Sequence, residues 1–317
     1  MSGSNGAVAL AGSGLVGSNW AIVFARAGHS VRLWDHDPDQ PKRARDNIAD
    51  NARDLVEAGL LEAADPLIDL IDVAPDLETA LDGVVHVQES IVEKAEVKAD
   101  LFSRLDALAP DSATIASSSS AIPGSRFMEH LPGRGRCMIA HPANPPYLLP
   151  IVELVPTPWT TDEAVAAARE MFVATGQQPI HVKKEVPGFI LSRIQIALIN
   201  ECISLVGRDV VSPDDVDKVM KYGLGLRWAF LGPLEVMDLN GPTGFASYVD
   251  HLRPTFEEVG DDLHTSDRWT EEAVAEIDNA RRAHVPADDV TERQRWRDRR
   301  LMALLAHLKA AESDIGP

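Results

Sequence analysis

His141 and Glu153 lie twelve residues apart, His141 in Ala140-His141-Pro142 and Glu153 inside the apolar run Ile151-Val152-Glu153-Leu154-Val155. A carboxylate in an apolar strand is costly unless it has a partner. An imidazole that titrates near neutrality, with a carboxylate to orient its ring, is the pair that takes a proton from an alcohol. From these two residues alone the plainer readings lead: a structural histidine, and a glutamate paired with any arginine.

A second group points to a phosphate-bearing ligand. Gly12-Ser13-Gly14-Leu15-Val16-Gly17 reads G-x-G-x-x-G, follows a predicted strand and opens a predicted helix. Gly12 permits a tight turn, Gly14 lets the backbone approach a pyrophosphate, and Gly17 lets helix pack on strand. The N–H groups at the helix start then face the phosphates. Asp35 ends the next strand, 18 residues after Gly17, and His36 follows it rather than an arginine. A carboxylate there accepts from ribose hydroxyls and repels a 2′-phosphate, which predicts NAD rather than NADP.

The elements that must hold these groups alternate along the first half. Strands are expected at Ala7–Gly12, Ser30–Asp35, Ile71–Pro75, Val84–Gln88, Ala113–Ser117, Arg136–His141 and Ile151–Val155. Helices are expected at Leu15–Ala27, Asp39–Gly59 and Glu93–Leu108. This βαβ alternation predicts a mostly parallel, doubly wound Rossmann-type α/β sheet. Beyond Val186-Pro187-Gly188 the periodicity is helical throughout, at Phe189–Gly207, Pro213–Tyr222, Thr243–Val259, Thr270–Ala283 and Asp288–Ala311. The reading is therefore two domains, a dinucleotide-binding domain over 1–184 and an all-α domain for substrate and dimerisation over 185–317.

Composition narrows the classes. An apolar fraction of 45% with 25% charged residues is that of a soluble globular chain. Forty-nine acidic against 30 basic residues, a net charge of −19, is the wrong sign for a broad nucleic-acid footprint. No apolar run approaches the roughly 20 residues of a membrane helix. The N-terminus shows no secretion signal. Two cysteines make no disulfide framework, which together with these absences predicts a cytoplasmic protein. No H-E-x-x-H or Cys/His spacing suggests a metal, and Ser120 is not in a G-x-S-x-G elbow.

At this point a resemblance enters. Ala116–Pro123, Ala140–Pro156, Gly188–Glu201 and Gly223–Leu239 with its GLGLRWAFLGPLEVMDL wording resemble the 3-hydroxyacyl-CoA dehydrogenase superfamily, nearest its lambda-crystallin and L-gulonate 3-dehydrogenase branch. The resemblance implies His141 as general base, Glu153 as its partner and Ser120 as a donor to the reacting oxygen. It implies Glu93 and Lys98 as a cofactor-side pair, with Ser118 and Asn144 near the nicotinamide. Where the family usually has asparagine, this chain has Ser192. Losing one hydrogen bond to a developing charge costs about 1.5–3 kcal/mol, or roughly 10- to 100-fold in rate.

The hydroxyacyl-CoA branch carries a lysine-rich helix after the second strand. Here Lys42, Arg43, Arg45 and Arg53 are diluted by Asp46, Asp50, Asp54 and Glu57, which favours a free hydroxy acid over a CoA ester. A free acid needs a cation, and Arg227 in Gly225-Leu226-Arg227-Trp228 is the candidate. Pairing with Glu235 is the plainer role for it. Residues 280–309 hold eight basic and four acidic side chains, which read first as a salt-bridged helix face. The resemblance implies a homodimer through the helical domain, with Leu301, Leu304, Leu305 and Leu308 available for packing. The leading expectation is NAD-dependent oxidation of a small L-3-hydroxy acid of the L-gulonate type. The alternatives are a 3-hydroxybutyryl-CoA dehydrogenase or related ketoreductase, and an NAD(H)-binding protein with little turnover.

Overall fold

In the computed structural model, which describes residues 5–263 and 269–316, the chain forms two compact units. The first runs through Arg193 and resumes at Arg295; the second is Ile194–Gln294.

The first unit is built on one eight-stranded sheet in the order β3-β2-β1-β4-β5-β6-β7-β8. The strands are β1 (Asn5–Ala11), β2 (His29–Trp34), β3 (Ile71–Val73), β4 (His86–Glu89), β5 (Thr114–Ser117), β6 (Cys137–Pro142), β7 (Ile151–Pro156) and β8 (Gln178–His181). All pairings are parallel except β6 with β7. The order reverses between β1 and β4, so a crevice opens beyond the carboxyl ends of those strands.

Alternation along each strand feeds two cores. Val8 and Leu10 of β1 pack on one face with helix α1 (Leu15–Arg26) and helix α2 (Gln40–Glu57). Ala9 and Ala11 face the other side, with Phe102 and Leu105 of helix Ala95–Leu108. α1 is buried from Gly17 to Ala25, and Trp20, Phe24 and Phe172 form an aromatic cluster beneath the sheet.

Three findings depart from the sequence reading. Strand β8 was not anticipated. Its QPIH sequence is short, mostly exposed and contains Pro179, as suits an edge strand and gives no apolar alternation. The boundary falls at 193/194, not 184/185, because the turn after Val186 is tied to the first unit. Phe189 is fully buried there, and Gly188 N donates to Ala121 O at 3.3 Å. Finally, helix Val290–Ile315 belongs to the first unit from Arg295 onward. Met302 is 1% exposed in the core with α2, and Leu301 and Leu305 pack against it. Two leucines expected to serve subunit packing are thus used inside the chain.

The second unit contains no strand among the described residues. Its helices include the rest of Leu191–Gly207, then Pro213–Lys218, Pro233–Asn240, Phe245–Asp262 and Glu271–His284. The helix expected over 213–222 is α-helical to Lys218 and then widens into a π-helical turn, Val219–Leu224. Arg281 pairs with Asp214 and Asp217 at 3.2 and 3.1 Å. In the first unit Arg299 pairs with Asp54 at 3.0 Å, so the basic stretch is salt-bridged, as the plainer reading held.

His86 sets a pH limit on stability. It is buried against Phe24 and Phe172, with Nδ1 2.7 Å from Thr114 Oγ1 and Nε2 3.1 Å from Gln88 Oε1. Burial lowers its pKa from 6.5 to about 4; the Gln88 bond opposes this and His29 adds to it. The unfolded chain therefore takes up this proton near pH 6.5, the folded one only near 4. Stability from a neutral His86 is complete above 6.5 and declines as pH falls towards 4, by about 3 kcal/mol in all. Urea titrations at pH 7.5 and 4.5 should show a larger loss in wild type than in His86→Gln. Equal losses would mean that His86 does not set the limit.

Candidate active site

The first-unit candidates gather at the carboxyl edge of the sheet because each follows, or nearly ends, a strand there. β7 runs antiparallel, so its start comes to the same edge. In the β6–β7 register His141 lies directly opposite Glu153, which is what the twelve-residue spacing means in space. Both side chains therefore emerge on one face. His141 is 6% exposed and Glu153 1%.

Glu153 meets three donors. Its Oε2 is 2.7 Å from His141 Nδ1, and its Oε1 accepts from Ile190 N at 2.7 Å and Leu191 N at 3.0 Å. Those amides open helix Leu191–Gly207. Burial pushes the Glu153 carboxyl up, but the His141 bond and the two amides outweigh it, and the group sits below its ordinary range. An ionised carboxylate only accepts hydrogen bonds, so Nδ1 carries a proton, and in the neutral ring Nε2 is the nitrogen with the free lone pair. The helix is aimed by Gly188 at φ 75° and Phe189 at φ 48°. Left-handed backbone at a bulky residue is strained by about 1–3 kcal/mol. The Phe189 ring packs 5.7 Å from that of His141.

The glycine turn is shaped to admit a ligand. Gly12 has φ 99°, and a Cβ there would sit 2.7 Å from Ser90 O. A Cβ on Gly17 would strike the Gly12 carbonyl. Above Gly14 there is open space, with nothing within 4 Å of an added Cβ, and α1 starts there without a side-chain cap. Asp35 Oδ2 accepts from Ser13 N at 2.8 Å, which brings the strand-end carboxylate to the turn. Gly12, Gly14, Leu15, Val16, Gly17 and Asp35 thus fit a dinucleotide's pyrophosphate and ribose.

Glu93 holds a loop rather than forming a simple surface pair with Lys98. Its Oε1 accepts from Ser119 Oγ at 2.6 Å and from the amides of Ser120, Ala121 and Ile122 at 3.0, 3.1 and 3.3 Å. Burial raises its pKa, but the Ser119 and amide bonds and Lys98 bring it below the ordinary range. Lys98 is 3.5 Å from Glu93 Oε2, yet its closer partner is Glu89, at 2.8 and 3.0 Å. Glu89, at the end of β4, is fully buried and also takes the Ser117 hydroxyl and the Ile91 amide. The sequence reading missed Glu89. A glutamate ending an apolar strand, nine residues before a helical lysine, was the available signal.

Ser118 Oγ accepts from Trp20 Nε1 at 3.1 Å and Gln88 Nε2 at 2.7 Å, and lies 2.9 Å from Ser90 Oγ. Gln88 also donates to Ala140 O at 3.1 Å, next to His141. Asn144 accepts from Asn19 at 3.2 Å. The Ser192 hydroxyl donates to Ser120 O at 3.1 Å, so these two candidates meet. Arg227 is exposed in the second unit, and no ion pair found among the described residues includes it, Glu235 being no exception. No group of His, Cys, Asp and Glu among the described residues could hold a metal. No helix among them is long and apolar enough to cross a membrane.

A sheet edge that can receive a dinucleotide, with a histidine–carboxylate pair beside it, has the layout of a nicotinamide-dependent dehydrogenase. Comparison with known proteins agrees. The 3-hydroxyacyl-CoA dehydrogenase NAD binding domain matches residues 7–186, and the C-terminal domain of that family matches 188–284. The chain belongs to the 3-hydroxyacyl-CoA dehydrogenase family; it is an oxidoreductase acting on CH–OH groups, with NAD as its cofactor. It is 38% identical over 304 residues to lambda-crystallin of Oryctolagus cuniculus, covering 94% of this chain and 95% of that one. It is 37% identical over 274 residues to L-carnitine dehydrogenase of Streptomyces griseus, covering 86% and 78%. The fold matches that of 5-formyl-3-hydroxy-2-methylpyridine 4-carboxylic acid 5-dehydrogenase, an NAD+-dependent dismutase. The TM-score is 0.83 at 27% identity, with 95% of this chain and 98% of that one covered.

The Glu89–Lys98 pair gives a direct test of the loop scaffold. Lys98→Met leaves a buried carboxylate without its cation and should lower stability by about 3–5 kcal/mol in urea unfolding. Adding Glu89→Gln should recover much of that. A loss under about 1 kcal/mol would show that the pair is not buried in solution.

Proposed function

We propose that this enzyme oxidises the 3-hydroxyl of a small L-3-hydroxy acid bearing a free carboxylate. The observation that carries the reading is the 2.7 Å bond from Glu153 to His141 Nδ1, which leaves Nε2 as the proton acceptor. Bound NAD supplies the hydride acceptor. His141 Nε2 takes the hydroxyl proton, and Glu153 stabilises the imidazolium that results. Ser120 donates to the reacting oxygen from a loop braced by Glu93. Glu93, Lys98, Ser118 and Asn144 hold the nicotinamide side, and Arg227 receives the substrate carboxylate.

Two observations favour a free acid over a CoA ester. Three of the four cations of α2 have a carboxylate partner: Lys42 has Asp39 at 3.3 Å, Arg43 has Asp37 at 2.5 Å and Arg53 has Asp50 at 2.7 Å. The L-carnitine dehydrogenase relative is named for a free hydroxy acid. Likeness to lambda-crystallin and the Ser192 hydroxyl spent on Ser120 O favour a second reading, an NAD-binding protein with little turnover.

The second unit exposes Phe230, Leu234 and Leu239 at 68, 68 and 67%, alongside Leu226 and Tyr222. Such exposure in one unit fits a face covered by a second copy. Light scattering should read about twice the mass of 34.4 kDa, and Phe230→Glu with Leu234→Glu should lower it.

NAD reduction with L-gulonate, L-carnitine and 3-hydroxybutyryl-CoA tests the chemistry. A free acid should turn over fastest. His141→Ala should cut kcat by about 10²- to 10⁴-fold, and Arg227→Lys should raise the acid's KM about tenfold. Ser192→Asn should raise kcat about tenfold if that side chain reaches the reacting oxygen. Preference for the CoA ester would overturn the substrate class. NAD binding without turnover would establish the second reading.

A further inference from the structure

The helix Val290–Ile315 lies beyond the residues that the family's two domains match, which end at 284. From Arg295 it is part of the first unit, and it meets that unit at two places at once. Arg299 grips Asp54 of α2 through Nη2 at 3.0 Å and Nε at 3.2 Å. Met302, with Leu301 beside it and Leu305 one turn further on, enters the core that holds Ile48 and Leu55 of α2 together with Tyr147, Leu148 and Val152. The spacing 298, 301, 302, 305 is one helical stripe.

Tyr147 marks the second place. It is 3% exposed in the eight-residue connection, 143–150, that joins β6 to β7 through Asn144. Its main-chain oxygen accepts from Arg26 of α1 at 3.3 Å. Its hydroxyl is buried without a hydrogen-bond partner. Burial raises the pKa of that phenol most, the carboxylates of Asp298 and Asp54 raise it further, and Arg297 opposes them. Asp298 and Arg297, at the start of the re-entering segment, thus lie within electrostatic reach of Tyr147, and Met302 shares its core. The same connection ends at Pro150, whose carbonyl accepts from the Gln178 amide at 2.6 Å, and Gln177 Nε2 donates to Pro146 O at 3.2 Å.

We propose that residues 295 onward are a positioning element for the β6–β7 hairpin, a buttress that holds the loop carrying Asn144 and so keeps His141 facing Glu153. Substrate and cofactor are not touched by it. Its effect passes through Tyr147 and Leu148 to the loop. This rests on the proposed role of His141 for its effect on rate, but not for its effect on the loop.

The test uses full-length Arg299→Asp and Met302→Ala, with hydrogen–deuterium exchange read on peptides covering 142–152 and on remote peptides covering β1 and β5. Exchange should rise in 142–152 and stay unchanged in β1 and β5. In the same variants kcat, measured with whichever of L-gulonate or L-carnitine wild type oxidises, should fall about 10- to 100-fold, with the KM for NAD unchanged. Arg299→Asp combined with Asp54→Arg should restore both readouts. Unchanged exchange in 142–152, or an equal rise in every peptide, would overturn the proposal, since the segment would then be inert or merely stabilising. A local rise in exchange with kcat unaltered would also overturn it. If wild type oxidises neither acid, the exchange pattern still decides whether the loop is buttressed, and only the reading of His141 fails.

Discussion

Glu153 is the group on which the rest of the site depends. One buried carboxylate has about four acceptor positions, and here three of them are taken by parts of the chain far apart in sequence. One oxygen takes the imidazole of β6, and the other takes two amides at the start of helix Leu191–Gly207. Burying an ionised carboxylate is tolerable only when such donors replace water. The helix start brings N–H dipoles with it, which lowers the cost further. The same charge thus orients a side chain and anchors a backbone. Removing it would leave a histidine without orientation and a helix start without a cap.

A second carboxylate pair uses the same physics for a different purpose. Glu89 and Glu93 share Lys98, but they do unlike work. Glu89 is sealed within the sheet edge and holds Ser117, at the end of β5. Glu93 is half-exposed and gathers three consecutive amides of the loop beyond. A loop of small residues, Ser117 to Ala121, has little side-chain packing of its own, so its shape comes from these acceptors. The neutral chain His86–Gln88–Ser118 does the equivalent on the opposite side of β4.

Much of this was legible in the residues. The glycine run, Asp35 and the alternation of strands and helices led to the sheet and its cofactor because each local preference agrees with the fold. His141 and Glu153 became a pair only through the family resemblance, and the antiparallel register shows why twelve residues suffice. Glu89 escaped because pattern reading treats a strand-end glutamate as solvated, while burial depends on which helix crosses above it. β8 escaped because an edge strand needs no apolar period. Leu301 and Leu305 were recognised as a packing face, but a stripe of leucines does not name what it packs on. The change from alternating strands to helices near Val186-Pro187-Gly188 was visible in the periodicity, but the contacts that carry the first unit on to Arg193 were not. Nor was the return at Arg295, since it rests on contacts between segments more than two hundred residues apart.

That return makes the second unit an insertion, with one chain crossing at Arg193 and another at Arg295. On the ribosome the consequence is one of timing. The eight strands are all synthesised by His181, yet the core that contains Met302 cannot close until a hundred further residues have been made and the C-terminal helix has emerged. Through that interval the part of this core that Met302, Leu301 and Leu305 cover stays open to solvent and to chaperones. The first domain to be translated is therefore the last to be completed.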